Sequence, residues 1–132
     1  MTTGEPSCGG HRQPPLHVFV GRAAPHIVVV TVAGEIDVAT APRLTEAVQA
    51  ATRDASEHVI LDLQPVTFFS SAGVNALITI HERTNRRGID LHLAGAEGNH
   101  VVARVLDLTG LTKRFRVHPA VTDALAEIGT TR

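Results

Sequence analysis

The sequence predicts an α/β layer fold, in which a mixed, mostly parallel sheet of about four to five strands packs with about four helices. Two observations predict this fold. From residue 26 onward, short β-branched runs alternate with longer segments whose apolar residues recur at helical spacing. Before them, a short connection between two strand-like runs indicates an antiparallel hairpin at the start of an otherwise parallel sheet.

Length and composition indicate one domain. The chain has 132 residues, and its hydrophobic content of 43% is ample for one core. Residues 1–15 are rich in glycine and proline and predict a disordered leader, followed by a domain over residues 16–129.

The net charge of −1 favours neither nucleic acid nor a membrane surface as a binding partner. Cys8 is the only cysteine, and no apolar run resembles a membrane span or signal core, which predicts a cytoplasmic protein without disulfides.

The first part of the domain contains two predicted strands and a helix. Leu16–Val20 alternates in polarity and predicts an edge strand, Gly21–Pro25 predicts a turn, and the β-branched run His26–Ala33 predicts a central strand. Thr40 is a candidate N-cap for a helix that ends near Asp54.

The next stretch is the one around which the chain is organised. Val59–Leu63 predicts a buried strand, and Pro65 ends it because proline has no backbone donor. Phe68 and Phe69 are expected to pin the following loop to the core. A helix is then predicted over residues 72–86, and its start should offer free backbone N–H groups and the positive end of the helix dipole.

The rest of the chain continues the alternation of strands and helices. A helix capped by Asn99 is expected to stop at Thr109-Gly110, and Gly88 fits the position just after the preceding helix. The remaining predicted segments are a strand over Ile89–Ala94, a strand over Arg114–Val117 and a last helix from His118-Pro119 to Gly129.

Polar residues are expected to gather at one edge of this sheet. Right-handed crossovers bring the carboxyl ends of parallel strands to the same side as the helix starts, so Gly34–Thr40 and Phe69–Gly73 should lie on one side. For Glu35 and Asp37, two interpretations remain: a solvated turn, or a polar rim beside the serines.

Ser70 and Ser71 likewise allow two interpretations. One of them can be an ordinary helix N-cap, for which serine is favoured. A serine there can also be a modification site, because a phosphate adds about −1.5 to −2 charges and changes what the surface binds without unfolding the domain.

These residues carry a family resemblance. The segment Asp62-Leu63-x-x-Val66-x-Phe68-Phe69-Ser70-Ser71-Ala72-Gly73 resembles the signature of STAS domains, specifically the bacterial anti-sigma factor antagonists. Gly34-Glu35-Ile36-Asp37 followed by Ala39-Thr40-Ala41-Pro42 is similar to the second landmark of that family. The usual family sequence at this point is Asp-Ser-Ser/Thr-Gly. By this resemblance, Ser71 occupies the position of the phosphorylated serine. Ser70 occupies the position of the Asp, and Ala72 occupies the position of the second hydroxyl residue.

The resemblance implies a phosphorylation-gated binding protein. Its partner would be an anti-sigma factor that is a serine kinase of the ATPase-fold type, and binding would free a sigma factor until phosphorylation of Ser71 separates the pair. The resemblance implies no cofactor, no direct contact with nucleic acid or membrane, and a monomer or weak homodimer. The implied partner-binding residues are Glu35, Asp37, Thr40, Phe69, Ser70, Ser71, Ala72, Gly73 and Asn75.

Catalysis is disfavoured by the motifs that are missing. A serine at a strand-to-helix turn is similar to the G-x-S-x-G nucleophile elbow, but Phe69 stands where the first glycine belongs. The sequence contains no Walker-type loop, no G-x-G-x-x-G and no H-E-x-x-H, and its eight histidines are scattered. No catalytic residue and no metal ligand is therefore predicted.

Two further hypotheses keep the STAS fold. Because Ser70 and Ala72 depart from the family text, the domain could act without phosphorylation, as a constitutive antagonist, a sensor or scaffold subunit, or a nucleotide- or small-ligand-binding module. The cytoplasmic piece of an anion transporter is disfavoured because the sequence contains no membrane span.

Overall fold

The computed structural model describes residues 16–53, 56–96 and 98–130, so the predicted leader over residues 1–15 lies outside the described part. Within it, six strands form one sheet and five helices pack on it, which confirms the predicted fold class. The elements in chain order are β1 (Leu16–Ala24), β2 (Ile27–Ile36), α1 (Ala41–Ala51), β3 (His58–Asp62), β4 (Val66–Phe69), α2 (Ser71–Arg86), β5 (Asp90–Ala94), α3 (His100–Leu108), α4 (Leu111–Arg114), β6 (Arg116–His118) and α5 (Val121–Thr130).

The sheet is mixed, as predicted. Its strand order is β1-β2-β3-β5-β6, in which β1 is antiparallel to β2 and the remaining pairs are parallel. The long strand β2 has two partners along one edge: residues 27–31 pair with β3, and residues 34–36 pair with β4. This arrangement places the segment just before α2 beside the end of β2.

The sequence missed two elements and misplaced one turn. The short elements β4 and α4 were not predicted. The turn expected over Gly21–Pro25 is wrong for most of its length, because β1 continues to Ala24 and pairs with Ile27 through an irregularity after Arg22. Pairing with the long strand β2 overrides the low strand propensity of the Gly-Arg-Ala-Ala segment.

The two faces of the sheet carry separate apolar clusters. Alternate residues of β3 divide between them: Val59 and Leu61 belong to the larger cluster, whereas Ile60 belongs to the smaller one. The larger cluster joins the sheet to α1, α2, α3 and α4. The smaller cluster lies under α5 and consists of Ile27, Ile60, Ala94, Ala124 and Ile128.

None of the helices in the described part of the chain combines the length and the apolar character needed to cross a bilayer.

Candidate functional site

The ends of β2 and β4 lie side by side and bring two distant segments together. Ile36 and Phe69 are register partners in this parallel pair, and the Ser70 amide donates a 2.9 Å hydrogen bond to the Ile36 carbonyl. Asp37 and Ser71 each follow one of these bonded residues. The loop from residue 34 to residue 40 and the start of α2 therefore lie at the same edge of the sheet, as the sequence predicted.

The two phenylalanines before the serines have different environments. Phe69 is 6% exposed and packs in the core, whereas Phe68 is 48% exposed. The expectation that both rings pin a loop to the core is therefore wrong for Phe68. Residues 66–69 form a strand, and successive side chains of a strand point to opposite faces.

Gly73 is a glycine because the Phe69 ring occupies the space of its missing side chain. A Cβ built on Gly73 would lie 2.3 Å from Phe69 Cε1 and 2.9 Å from Cγ2 of Ile36. Both neighbours are buried. The first turn of α2 thus packs directly on the ends of β2 and β4, which fixes where the serines lie.

The two serines have distinct structural roles. Ser70 is the N-cap of α2, and its hydroxyl oxygen accepts a 3.2 Å hydrogen bond from the Ala72 amide. Ser70 is half-buried, whereas Ser71 is exposed as the first residue of the helix. The capping interpretation therefore holds for Ser70, and the Ser71 hydroxyl is left at the surface.

The first amides of α2 already have acceptors. The Ala72 amide donates to the Ser70 hydroxyl, and the Gly73 and Val74 amides donate to the Ser70 carbonyl at 2.9 and 3.2 Å. The expectation that several free N–H groups await an anion is therefore wrong for these three amides. An anion on Ser71 would be favoured mainly by the helix dipole, and the first turn of α2 carries no acidic residue.

The loop between β2 and α1 is tied by its own polar side chains. Asp37 Oδ1 accepts from the amides of Ala39 and Thr40 at 3.0 Å each. The Thr40 hydroxyl accepts from the Asp37 amide at 2.9 Å and donates to the Glu35 carbonyl at 2.8 Å. Thr40 precedes α1 as predicted, but its hydroxyl makes no bond to a helix amide. The Thr40 side chain fixes the loop, because its hydroxyl bonds to the Glu35 carbonyl on β2 and to the Asp37 amide and not to the first turn of α1.

The implied partner-binding residues divide by exposure. Thr40, Phe69 and Gly73 are buried and can only support the surface from below. The remaining six have exposed or half-buried side chains: Glu35, Asp37, Ser70, Ser71, Ala72 and Asn75.

Two exposed apolar side chains were missed by the sequence reasoning. Val38 is 81% exposed in the loop after β2, and Phe68 is 48% exposed opposite Glu35 in the β2–β4 register. We define the serine surface as the half-buried Glu35 together with four exposed residues, Val38, Phe68, Ser71 and Asn75. The sequence feature that could have identified Val38 is its apolar side chain within an otherwise polar turn.

Asn99 has a larger structural role than the sequence indicated. Asn99 caps α3 as predicted, since its Oδ1 accepts from the amides of Val101 and Val102 at 3.0 and 3.2 Å. Its Nδ2 also donates to the carbonyls of Gln64 and Val66 at 2.9 and 2.6 Å. Asn99 therefore holds the turn that leads into β4, and through β4 it positions the serines.

The described residues offer no metal centre at this surface or elsewhere. Across residues 16–53, 56–96 and 98–130, no group of three or more His, Cys, Asp or Glu side chains is arranged to hold a metal ion.

Known proteins resemble this chain in sequence and in fold. The anti-sigma-F factor antagonist RsfB of Mycobacterium tuberculosis is 30% identical over 102 residues, which cover 77% of this chain and 81% of RsfB. An anti-sigma factor antagonist from Mycobacterium paratuberculosis, solved by crystallography, is 32% identical with a TM-score of 0.71 over 86% of this chain and 93% of that one.

More distant solved structures share the fold. The anti-sigma factor antagonist SpoIIAA in its unphosphorylated form is 16% identical, with a TM-score of 0.72 over 86% of this chain and 97% of SpoIIAA. The Bacillus SpoIIAA in its phosphorylated form is 15% identical, with a TM-score of 0.65 over 85% of this chain and 99% of that one.

The family resemblance drawn from the two motifs is confirmed by a match over most of the domain. The family model described as the STAS domain matches residues 21–124, a range that includes both motifs and the paired ends of β2 and β4. The chain therefore belongs to the STAS domain family.

Proposed function

We propose that this chain is an anti-sigma factor antagonist that binds an anti-sigma factor through the serine surface. The relatives at 30% and 32% identity bear that name. Binding would free a sigma factor in the cytoplasm, and phosphorylation of Ser71 by the anti-sigma factor, acting as a serine kinase of the ATPase-fold type, would end it. The chain itself acts as a binding protein and not as an enzyme.

One observation supports Ser71 as the acceptor more than any other. The Ser70 hydroxyl is engaged as the cap of α2, whereas the Ser71 side chain is exposed beside it. A kinase can reach Ser71 without opening the helix. SpoIIAA, which shares the fold, is known in both unphosphorylated and phosphorylated forms.

The electrostatic setting supports a change in binding without unfolding. The Ser71 side chain lies at the positive end of α2, while Asp37 and Glu35 lie in the neighbouring loop and strand. A phosphate would bring about −1.5 to −2 further charges to a surface that already carries two carboxylates. A partner that fits the neutral hydroxyl would then meet added charge and bulk.

The phosphoacceptor assignment is tested with the anti-sigma factor captured by the tagged wild-type chain. Incubation with ATP, followed by peptide mass spectrometry, is expected to place phosphate on Ser71. Ser71→Ala is expected to retain binding and block phosphorylation, and Ser71→Glu to weaken binding in part, because one carboxylate carries less charge than a phosphate.

Two results would contradict this proposal in different ways. Phosphate on Ser70 alone would overturn the choice of acceptor. No phosphate on either serine, together with full binding by Ser71→Glu, would favour the alternative in which the domain is a constitutive antagonist, a scaffold, or a nucleotide- or small-ligand-binding module.

The exposed ring of Phe68 is expected to anchor the partner. Aromatic side chains that become fully buried at an interface contribute more than about 1–2 kcal/mol. Phe68→Ala should therefore weaken binding of the anti-sigma factor about tenfold or more, as measured by calorimetric titration.

Phe19→Ala is the matched control for this measurement. Phe19 is 61% exposed, but it lies on β1, at the other edge of β2 from β4. Its truncation should leave the affinity unchanged. An equal loss in both variants would show that the partner does not dock on the serine surface.

A further inference from the structure

Three histidines form a continuous row beneath α5. His58 Nδ1 lies 3.3 Å from His92 Nε2, and His92 Nδ1 lies 3.2 Å from His118 Nε2. His118 Nδ1 then lies 3.6 Å from the Glu127 carboxylate on α5. We call His58, His92 and His118 the histidine row; it is distinct from the serine surface.

The sheet register explains why residues so far apart in sequence meet. His92 pairs with Ile60, which is two residues after His58, and His118 pairs with Ala94, which is two residues after His92. Because side chains repeat every second residue along a strand, all three rings emerge on one face. That is the face on which Ile60 and Ala94 pack against α5.

Charged and titratable groups face the row from every adjoining element. Asp90 Oδ2 on β5 lies 3.8 Å from His58 Nδ1 and 3.9 Å from Arg116 Nη1 on β6. The His26 ring, before β2, lies 6.2 Å from the His58 ring. Glu57, before β3, and Glu127, on α5, line the same cavity of about 440 Å³. The row is thus bounded by carboxylates, and its central ring is 1% exposed.

The number of hydrogens that the row can hold follows from its geometry. Each gap of 3.2–3.3 Å between ring nitrogens has room for one hydrogen, shared as a donor–acceptor pair. Two gaps and the two outer nitrogens, His58 Nε2 and His118 Nδ1, therefore accommodate four hydrogens. Three neutral imidazoles carry three. The row accepts one excess proton, and a second would place two hydrogens in one gap.

When all three histidines are neutral, the hydrogen bonds along the row have a preferred direction. If every ring carries its hydrogen on Nδ1, His58 donates to His92, His92 donates to His118, and His118 faces Glu127 with a donor. The single Nδ1 hydrogen of His58 is used in the bond to His92, and Asp90 Oδ2 lies 3.8 Å from that nitrogen, beyond hydrogen-bond distance. The opposite direction would leave the Glu127 carboxylate facing a ring nitrogen of His118 that carries no hydrogen.

We propose that the histidine row is a proton-sensitive latch that holds α5 on the sheet while the buried central ring, His92, is neutral, and releases it when His92 is protonated. Detachment of α5 from the sheet is the smallest structural change that would expose the three histidine rings to water. The larger apolar cluster contains no residue of α5, so the rest of the domain keeps its core.

The direction of the pH effect follows from the central ring. Burial, reinforced by the neighbouring His118 and His58, lowers the pKa of His92 from 6.5 to about 4. A depressed folded-state pKa means that the folded row favours neutral His92 over the charged form. The stabilisation is complete above pH 6.5 and is lost as the pH falls from 6.5 towards 4.

Hydrogen exchange of the wild-type chain tests the latch. Between pH 7 and pH 5, the protection of α5 amides, corrected for intrinsic exchange, is expected to fall about 20-fold, since only the opened state protonates His92 in that range. Protection in α2 should change far less. An α5 whose protection follows that of α2 across this range would overturn the proposal.

Two further measurements keep the test decisive. Ring nitrogen chemical shifts of the wild-type protein should show His92 as the neutral Nδ1–H tautomer at pH 6, and a charged His92 there would contradict the latch. His92→Phe should reduce the pH dependence of α5 protection, whereas His100→Gln, which alters an exposed histidine on α3, should preserve it.

Discussion

Replacing Gly73 by alanine is expected to lower the free energy of unfolding by about 1–3 kcal/mol, although alanine is the better helix former. The added Cβ would lie 2.3 Å from the Phe69 ring and 2.9 Å from the Ile36 side chain. Ile36 is 0% and Phe69 6% exposed, so neither can move aside into solvent. Relief requires separation of α2 from the paired ends of β2 and β4.

Urea unfolding followed by circular dichroism measures this loss, and Gly129→Ala is the control. Gly129 lies within α5, and a Cβ built there meets no atom within 4 Å. This substitution should raise the free energy of unfolding by up to about 1 kcal/mol. If Gly73→Ala were equally stabilising, the close packing of Phe69 on α2 would be refuted.

Replacing Asn99 by alanine is expected to lower the free energy of unfolding by about 2–4 kcal/mol. The variant loses the cap of α3 and leaves the carbonyls of Gln64 and Val66 without their donor. Gln64 belongs to the turn that enters β4, and Val66 is the first residue of β4. Amide protection in β4 should therefore fall together with the global stability.

Asn99→Ser separates the two contributions. Serine supplies a capping oxygen of similar quality, but it is too short to bridge to the turn before β4. It should recover about 1 kcal/mol of the loss and leave β4 poorly protected. Full wild-type stability in this variant would mean that the contacts of Nδ2 contribute nothing.

Local sequence determined the features that depend on a few neighbouring residues. The alternation of β-branched runs and helical spacing gave the fold class, because side-chain periodicity decides which face of an element can be buried. Asn99 was identifiable as a cap, because a cap bonds amides within its own first turn. The serine motif located the start of α2 to within one residue.

The tertiary structure alone decided features that depend on strand pairing. Phe68 and Phe69 are chemically identical neighbours, and their different burial exists only because residues 66–69 pair with the end of β2. Thr40 had the composition of a cap, but the Glu35 carbonyl and the Asp37 amide took its hydroxyl. His58, His92 and His118 are scattered in sequence, and the register of three parallel strands brings them into one row. Such register is set by contacts between distant segments, which no short window of sequence contains.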